Sequence, residues 1–331
     1  MIQKALTKPT LMMNIEKQSM ASSNFGLHSL SQSRTFCRRR GVALSEVVIV
    51  IVIISFTALL LLSRMPRGRE PSRSLICLSN LNQIGQACAF YTQATGQYPA
   101  TMAWGTGEAG RETSVLWNLR ATLQFRDFTE VESRIESKKA SGDKTLPPFA
   151  VGLRCPSDRI MEPRTATNYR ANTGVDSNGR TGPFGISQVV TPKQVEAGDG
   201  SAFTAAFAER LIGNGKAEMG ITNYQETQDC AKAIAASLSE DPAVIWKGDA
   251  GYDWSRGDWS QTLYHHGLTP NWKLSAVANE GNCGQMGSSS AHPGSVHVLL
   301  LDGSAKSWRE TVDQLVWRRL GGYQDGQVNE K

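Results

Sequence analysis

From Val42 to Leu62 the chain carries an almost unbroken apolar run, interrupted only by Ser45, Glu46, Ser55 and Thr57, and the sequence Arg38-Arg39-Arg40-Gly41 stands immediately before it. As an α-helix the run spans about 30 Å, the thickness of a bilayer's hydrocarbon core. A buried helix of a soluble enzyme fits poorly, because such helices are shorter and keep a polar face. A secretory signal peptide fits no better: its apolar core is about 7–15 residues long and ends in a small-x-small cleavage site, and Leu59 to Leu62 offers none. Residues 42–62 are therefore expected to form a transmembrane helix.

Glu46 sharpens this expectation. A carboxylate near the start of a membrane helix is costly and marks function, with a partner to be found. A cut after Gly41 would leave a new α-amino group on Val42, four residues from Glu46. Amine and carboxylate could then pair, most usefully between neighbouring subunits packed helix to helix. The stretch from Arg38 through Gly41 to Val42-Ala43-Leu44-Ser45-Glu46 resembles the cleavage and methylation signal of type IV prepilins and type II secretion pseudopilins. Val42 stands where phenylalanine is usual there, and Ser45 where isoleucine is usual. The resemblance implies that prepilin peptidase cuts after Gly41 and methylates Val42, and that Glu46 guides assembly with other pilin-like subunits. It also implies a single pass through the lipid bilayer of a bacterial inner (cytoplasmic) membrane, with the C-terminal domain outside the cytoplasm.

Residues 1–41 then read as a leader, rich in Ser, Gln and Lys without periodicity. Its Lys4, Lys8, Lys17 and Arg34, with Arg38 to Arg40, fit the positive-inside rule, although Arg64, Arg67, Arg69 and Arg73 on the other side weaken the asymmetry. The net charge of +5 is modest and seven positive residues precede Gly41, so the charge is not a nucleic-acid footprint and no nucleic-acid partner is expected. With the membrane helix set aside, a chain of 331 residues at 40 % hydrophobic composition can bury one substantial core.

After the apolar run, Pro66 and Pro71 are expected to kink or break the rod, with helix resuming from Ser72. Leu75, Leu78, Leu81, Ile84, Cys88 and Tyr91 recur at three or four residues, a stripe that should pack on a sheet, and Gly96 is a stop signal. Residues 63–97 thus read as the extracytoplasmic continuation of the N-terminal helix, 98–323 as an extracytoplasmic α+β domain, and 324–331 as a disordered tail.

The wording of this helix, Cys77-Leu-Ser-Asn-Leu-Asn-Gln-Ile-Gly-Gln, followed by Tyr91 and Gly96-Gln-Tyr-Pro99, resembles the domain of unknown function family DUF1559. Four later stretches extend the resemblance. They are Cys155-Pro-Ser-Asp158 with Asn168-Tyr169; Asp199-Gly200 through Thr204 to Glu209-Arg210; Tyr264-His265-His266 with Pro270-Asn271; and His292, nine residues before Asp302-Gly303. It implies a prepilin-type N-terminus and a long extracytoplasmic domain. The fold expected is α+β and pilin-like: a long N-terminal helix, its first half transmembrane, packed on an antiparallel sheet with long loops.

Local chemistry fills in the rest. Val296 to Leu301 and Ser304 to Trp308 look like strands joined by a two-residue Asp302-Gly303 turn with positive φ. Thr311 and Gln314 can make a capping box for a short helix ended by Gly321-Gly322. Val189-Val190 and Ala243 to Trp246 are short apolar bursts in a domain rich in Gly, Asn, Asp and Ser. Arg126 to Lys144 and Lys247 to Ser260 read as exposed insertions. Downstream of Gly41 lie Cys77, Cys88, Cys155, Cys230 and Cys283, an odd number, so at least one thiol is free or intermolecular. Cys77 and Cys88 are too far apart along one helix to bond; Cys77 with Cys155 is the candidate pair.

Other chemistry is weaker. His265, His266, His292 and His297 lie near Cys283 and Asp302, but without a recognised zinc spacing; histidines bonded to loop backbone are expected instead, and no metal or cofactor. Ser288 to Ser290 before His292 lack a nucleophile elbow, so an enzyme is not expected. Asp176-Ser-Asn178-Gly179 begins like a calcium loop but lacks the distal glutamate, which favours a plain turn. Trp246, Tyr252, Trp254 and Trp259 among aspartates either cover a sheet edge, the favoured reading, or stack a sugar. The two functional classes left are a pilin-like structural protein and an anchored receptor for an extracellular glycan or solute.

Overall fold

The computed structural model describes residues 41–62, 69–101, 113–123, 151–160, 163–227, 245–273, 276–278 and 283–324. Most of the leader, Pro66, the Arg126 to Lys144 insertion, Cys230 and the tail beyond residue 324 lie outside them. The chain forms two units, one ending at Leu59 and the other running from Leu60 to Lys331.

The first unit contains α1 (Leu44–Leu62) through Leu59. The N–H of Ala43 donates to Glu46 Oε2 at 3.1 Å, half of a capping box, so the carboxylate secures the helix start. Thr57 donates its hydroxyl back to the carbonyls of Ile53 and Ile54, which satisfies it within the helix. The large apolar side chains are exposed on every side, from 45 % at Val47 to 83 % at Leu44. Side chains of α1 are described only to Leu59, and among the described residues no helix is long and apolar enough to cross a membrane.

The second unit opens with α2 (Arg69–Thr95), three residues earlier than the expected restart at Ser72. Pro71 sits in the first turn, where its missing N–H has no intrahelical carbonyl to find, so it starts the helix instead of breaking it. Gly96, at φ 75°, ends it. The buried stripe is Cys77, Asn80, Leu81, Ile84, Ala87 and Cys88, whereas Leu75 is exposed. The expected stripe therefore started one turn too early.

Beyond it come α3 (Val115–Asn118), β1 (Tyr169–Asn172), α4 (Pro192–Ala197), β2 (Ala205–Glu209), β3 (Tyr224–Glu226), β4 (Ile245–Lys247), β5 (Leu263–Tyr264), β6 (Ala276–Ala278), β7 (Gly284–Gln285), β8 (Ser295–Leu300), β9 (Ala305–Arg309) and α5 (Gln314–Arg319). Among the described residues, five strands form one sheet in the order β5-β1-β2-β8-β9, and four form another in the order β4-β3-β6-β7. The class is α+β, but the expectation of an antiparallel sheet is corrected. β1 pairs with β5, and β3 with β6, in parallel. Long excursions separate the members of each pair, enough chain to return a strand in its original direction.

Strands β1, β2, β5 and β8 of the larger sheet are buried on both faces, whereas β9 at its edge is largely exposed. On β8, Val296, Val298 and Leu300 join Tyr264, Trp317 and Leu320 on one side, while Leu299 joins Phe207, Leu81 and Ile84 on the other. Phe207 stands opposite Leu299 in the β2–β8 register. Side chains alternate along a strand, so Glu209 and His297, each two residues from that pair, also face α2. Gly85 lets α2 lie close: a Cβ there would meet the Leu299 side chain at 3.0 Å.

Three local expectations change. The β8–β9 connection is a three-residue loop, Leu301-Asp302-Gly303, because Leu300 N–H pairs with Ser304; only Gly303 has positive φ, 86°. The cap of α5 is Asp313, whose carboxylate reaches the N–H groups of Leu315 and Val316, and Thr311 is not the cap. The Lys247 to Ser260 stretch is not an exposed insertion, since Ala250, Asp253, Trp254, Asp258 and Trp259 are buried, the two tryptophans at 1 % exposure. The Val189-Val190 burst forms no strand, although Val190 is buried. After β1, Gly174 at φ 113° would place a Cβ 2.0 Å from Thr181 Oγ1 and 2.5 Å from the Gly182 nitrogen. Gly174→Ala is therefore expected to lower stability by about 2 kcal/mol or more, measured as a urea-unfolding midpoint; an unchanged midpoint would contradict the packing.

Candidate functional site

Glu70, Ser74 and Cys77 fall at i, i+4 and i+7 on α2 and so share one face of it. That face meets Glu209 at the end of β2, His297 in β8, His292 in the loop before β8, and the Cys155 to Asp158 segment. Cys77 and Cys155 are joined by a disulfide, with Cα atoms 5.2 Å apart. Over it lies a buried chain of polar groups. Glu70 Oε1 accepts from Ser157 Oγ at 2.7 Å and from His292 Nδ1 at 2.8 Å. His292 Nε2 lies 3.5 Å from Glu209 Oε1 and 3.4 Å from Cys155 Sγ. Glu209 also accepts from His297, at Oε1 from Nδ1 (3.1 Å) and at Oε2 from the backbone N–H (3.0 Å). His297 Nε2 lies within hydrogen-bond distance of Ser74 Oγ, at 3.0 Å. The two imidazole rings stack with centroids 4.3 Å apart.

Charge explains why this cluster holds together. The side chains of His292, His297 and Glu209 are 3 %, 1 % and 2 % exposed, and Glu70, at 33 %, is the opening to solvent. Burial alone would raise the Glu209 carboxyl, but hydrogen bonds from His292 and His297 and their positive charge outweigh it and hold it down at about 2. Burial would likewise lower His292, yet Glu209 and Glu70 turn the shift upward. For Glu70 burial again pushes up, and Ser157, His292 and Arg73 together bring the carboxyl below its ordinary value. The arrangement stores positive charge on histidine between two carboxylates. Its inner ring nitrogen and carboxylate oxygen are able to hold a metal, and the two cysteine sulfurs would join them if the disulfide were opened.

A second set of bonds fixes the backbone around it. Asn168 accepts from the Cys155 N–H (3.0 Å) and donates to Asp158 Oδ2 (2.7 Å) and to the Arg210 carbonyl (3.1 Å). Asp158 also accepts from the Ile160 and Ile212 N–H groups. The Tyr169 hydroxyl donates to the Cys77 carbonyl and accepts from Asn80; burial first, then Glu209, pushes it well above its ordinary value. Cys77, Cys155, Asp158, Asn168, Tyr169 and His292 are thus brought together.

The remaining motif residues lie elsewhere. Asp302-Gly303 makes the turn at the far end of β8 from His292, roughly 20 Å away at about 3.3 Å per residue. Asp199-Gly200 packs at that end too, since Asp302 N–H donates to the Ser201 carbonyl. His266, between the Tyr264 hydroxyl (2.9 Å) and the Trp317 carbonyl (2.8 Å), serves the opposite face of the sheet. Pro270 is buried beside it in sequence. Asn271, at φ 56°, bridges Ser290 and Glu310 and so shapes the loop that delivers His292, whose N–H donates to Ser290 Oγ. Gly41, Val42 and Glu46 belong to the first unit. Cys283 is disulfide-bonded and Cys88 is a buried free thiol. Asp176 caps a plain turn through Arg180 N–H and Thr181.

Sequence reasoning left out Glu70 and Ser74, and took Ser157 and Glu209 only as parts of motifs. The usable signal was the continuation of the Cys77 stripe backward through Ser74 to Glu70.

The whole defines an α+β domain whose leading helix is cross-linked to its body beside a buried histidine–glutamate cluster. Residues 66–315 match the model of the family described as "Protein of unknown function (DUF1559)", and the chain belongs to that family. No curated protein and no solved structure matches it.

Proposed function

We propose that this chain is a membrane-anchored, pilin-like structural or interaction protein, processed by prepilin peptidase after Gly41 and assembled with similar subunits into a pilus or secretion pseudopilus. The carrying observation is α1: apolar side chains exposed all around it need lipid or neighbouring helices to cover them. The apolar sequence from Val42 to Leu62 supports lipid for the span, and Glu46 at the helix start supports pairing with a neighbour's N-terminus. The disulfide and charge cluster in the second unit suit a domain that must keep its leading helix attached.

Glu46→Ala is expected to abolish assembly while leaving membrane insertion intact, read by shear or cross-linking of surface filaments beside membrane fractionation. Assembly at the parental level would remove Glu46 from that role. Mass spectrometry of the native membrane fraction is expected to find methylated Val42 as the mature N-terminus, and an intact leader would overturn processing.

An anchored receptor for a glycan or solute is the competing reading. It would use the polar cleft lined by Tyr224, Glu226, Lys247, Asp249, Arg256 and Asp258, whose volume is about 120 Å³. Ligand pockets run to several hundred Å³, and Trp254 and Trp259 are buried and present no stacking platform, so the structural reading is preferred.

A further inference from the structure

We propose that the buried cluster is a redox-gated zinc site: once the Cys77–Cys155 disulfide is reduced, both thiolates, His292 Nε2 and a Glu209 oxygen bind one zinc ion. Ligand atoms of these four buried residues all lie within 4.8 Å of one another. Tetrahedral zinc, at about 2.3 Å from sulfur and about 2.0–2.1 Å from nitrogen or oxygen, sets its ligands roughly 3.3–3.8 Å apart. Cys155 Sγ to His292 Nε2 is 3.4 Å, and His292 Nε2 to Glu209 Oε1 is 3.5 Å. Two edges of the tetrahedron are therefore already in place. The sulfurs, on Cα atoms 5.2 Å apart, must separate by rotation about their side-chain bonds, and the other ligand atoms, all within 4.8 Å of one another, must draw in to the ion.

The outer partners form an independent observation. Glu70 accepts from His292 Nδ1 and turns Nε2 inward, while Ser157 holds Glu70 from behind. His297 holds both oxygens of Glu209. Metal-binding histidines and carboxylates are oriented by such partners, and here they stand ready before any ion arrives. Two thiolates with an imidazole suit zinc far better than calcium or magnesium.

The chemistry balances in two steps. A dithiol reductant breaks the Sγ–Sγ bond, supplies two electrons and two protons, and is itself oxidised to a disulfide. Zinc then replaces the two thiol protons and the Nε2 proton of the His292 imidazolium, all three of which leave to water, and two Zn–S bonds, one Zn–N bond and one Zn–O bond form. The ion takes over from the covalent link in joining α2 to the Cys155 segment.

The test uses the full chain, stripped of metal with a chelator and either left oxidised or reduced with a phosphine. Zinc alone is added, excess is removed by desalting, and metal per chain is measured by elemental mass spectrometry. One zinc per reduced chain and none per oxidised chain is the expected result. Cobalt in place of zinc should show a thiolate-to-cobalt charge-transfer band that survives Cys283→Ser. His292→Asn and Glu209→Gln should each weaken binding at least ~10-fold. Absence of uptake by the reduced chain, equal uptake by the oxidised chain, or a band that survives His292→Asn but is lost in Cys283→Ser overturns the proposal. If those cluster variants do not fold, X-ray absorption of the reduced wild-type chain decides: two sulfurs with two lighter ligands supports the site, and any other shell overturns it.

Discussion

Replacing Cys77 and Cys155 together by alanine is expected to lower the stability of the domain by about 4–5 kcal/mol, the chain-entropy value for so long a closed loop. The two cysteines are 78 residues apart in sequence, so the link forbids a large set of unfolded conformations. It also ties α2, which carries Leu81 and Ile84 into the core, to the segment positioned by Asn168 and Asp158. Urea unfolding of the purified full chain measures the loss. Wild-type protein and the double variant, both held under reductant with a chelator, should unfold close to one another, because the reductant opens the Cys283 disulfide in each and both then lack the Cys77–Cys155 cross-link and metal. A loss under ~1 kcal/mol would mean that the unfolded chain is already constrained between these residues, or that the bond strains the fold.

What could be read in the sequence follows from how local each signal is. The β8–β9 hairpin was legible because alternating apolar residues flank an Asp-Gly pair, and the error in its loop was one residue. The lower part of α2 was legible from its three-and-four spacing. The parallel pairings were not, because nothing local to Leu263-Tyr264 or Ala276 to Ala278 says which strand each will join after a long excursion. The same limit hid the cluster. Glu70 looks like the ordinary acidic residue of a first helical turn, and Glu209 like the polar end of a short Ala-Ala-Phe-Ala strand. Only the β2–β8 register and the packing of α2 on that face set them against His292 and His297. The His292 to Asp302-Gly303 motif reads as one unit in sequence, yet β8 carries its ends to different jobs, a charge cluster and a turn.

Stability is expected to peak near pH 6.5 and to fall on both sides for different histidines. His265 and His266 are buried and neutral, each pushed down to about 3 from 6.5. Burial leads in both; Arg318 and Arg210 add to it for His265, and the Trp317 carbonyl only partly opposes it for His266. As pH falls below 6.5 the unfolded chain takes up these two protons before the folded chain can. Stability is therefore lost on the acid side at up to about 1.4 kcal/mol per pH unit for each group. Glu209, held at about 2 against 4.5, adds a third such loss as pH falls from 4.5 toward 2. His292 has the opposite sign. Its folded value is raised above 6.5, so its contribution is fully present below 6.5 and is lost as pH rises through the folded value. The limbs can be separated by mutation with urea midpoints across pH. His266→Gln should remove about one proton from the acid slope and leave the alkaline limb unchanged. His292→Asn should flatten the alkaline limb, leave the two-histidine loss between pH 6.5 and 4.5 unchanged, and reduce the Glu209 part of the loss below pH 4.5, since His292 helps to hold that carboxyl down. If the two variants exchanged these effects, the charge on the cluster would have to be reassigned, because a buried imidazolium between Glu70 and Glu209 and a buried neutral imidazole beside Trp317 must respond to protons in opposite directions.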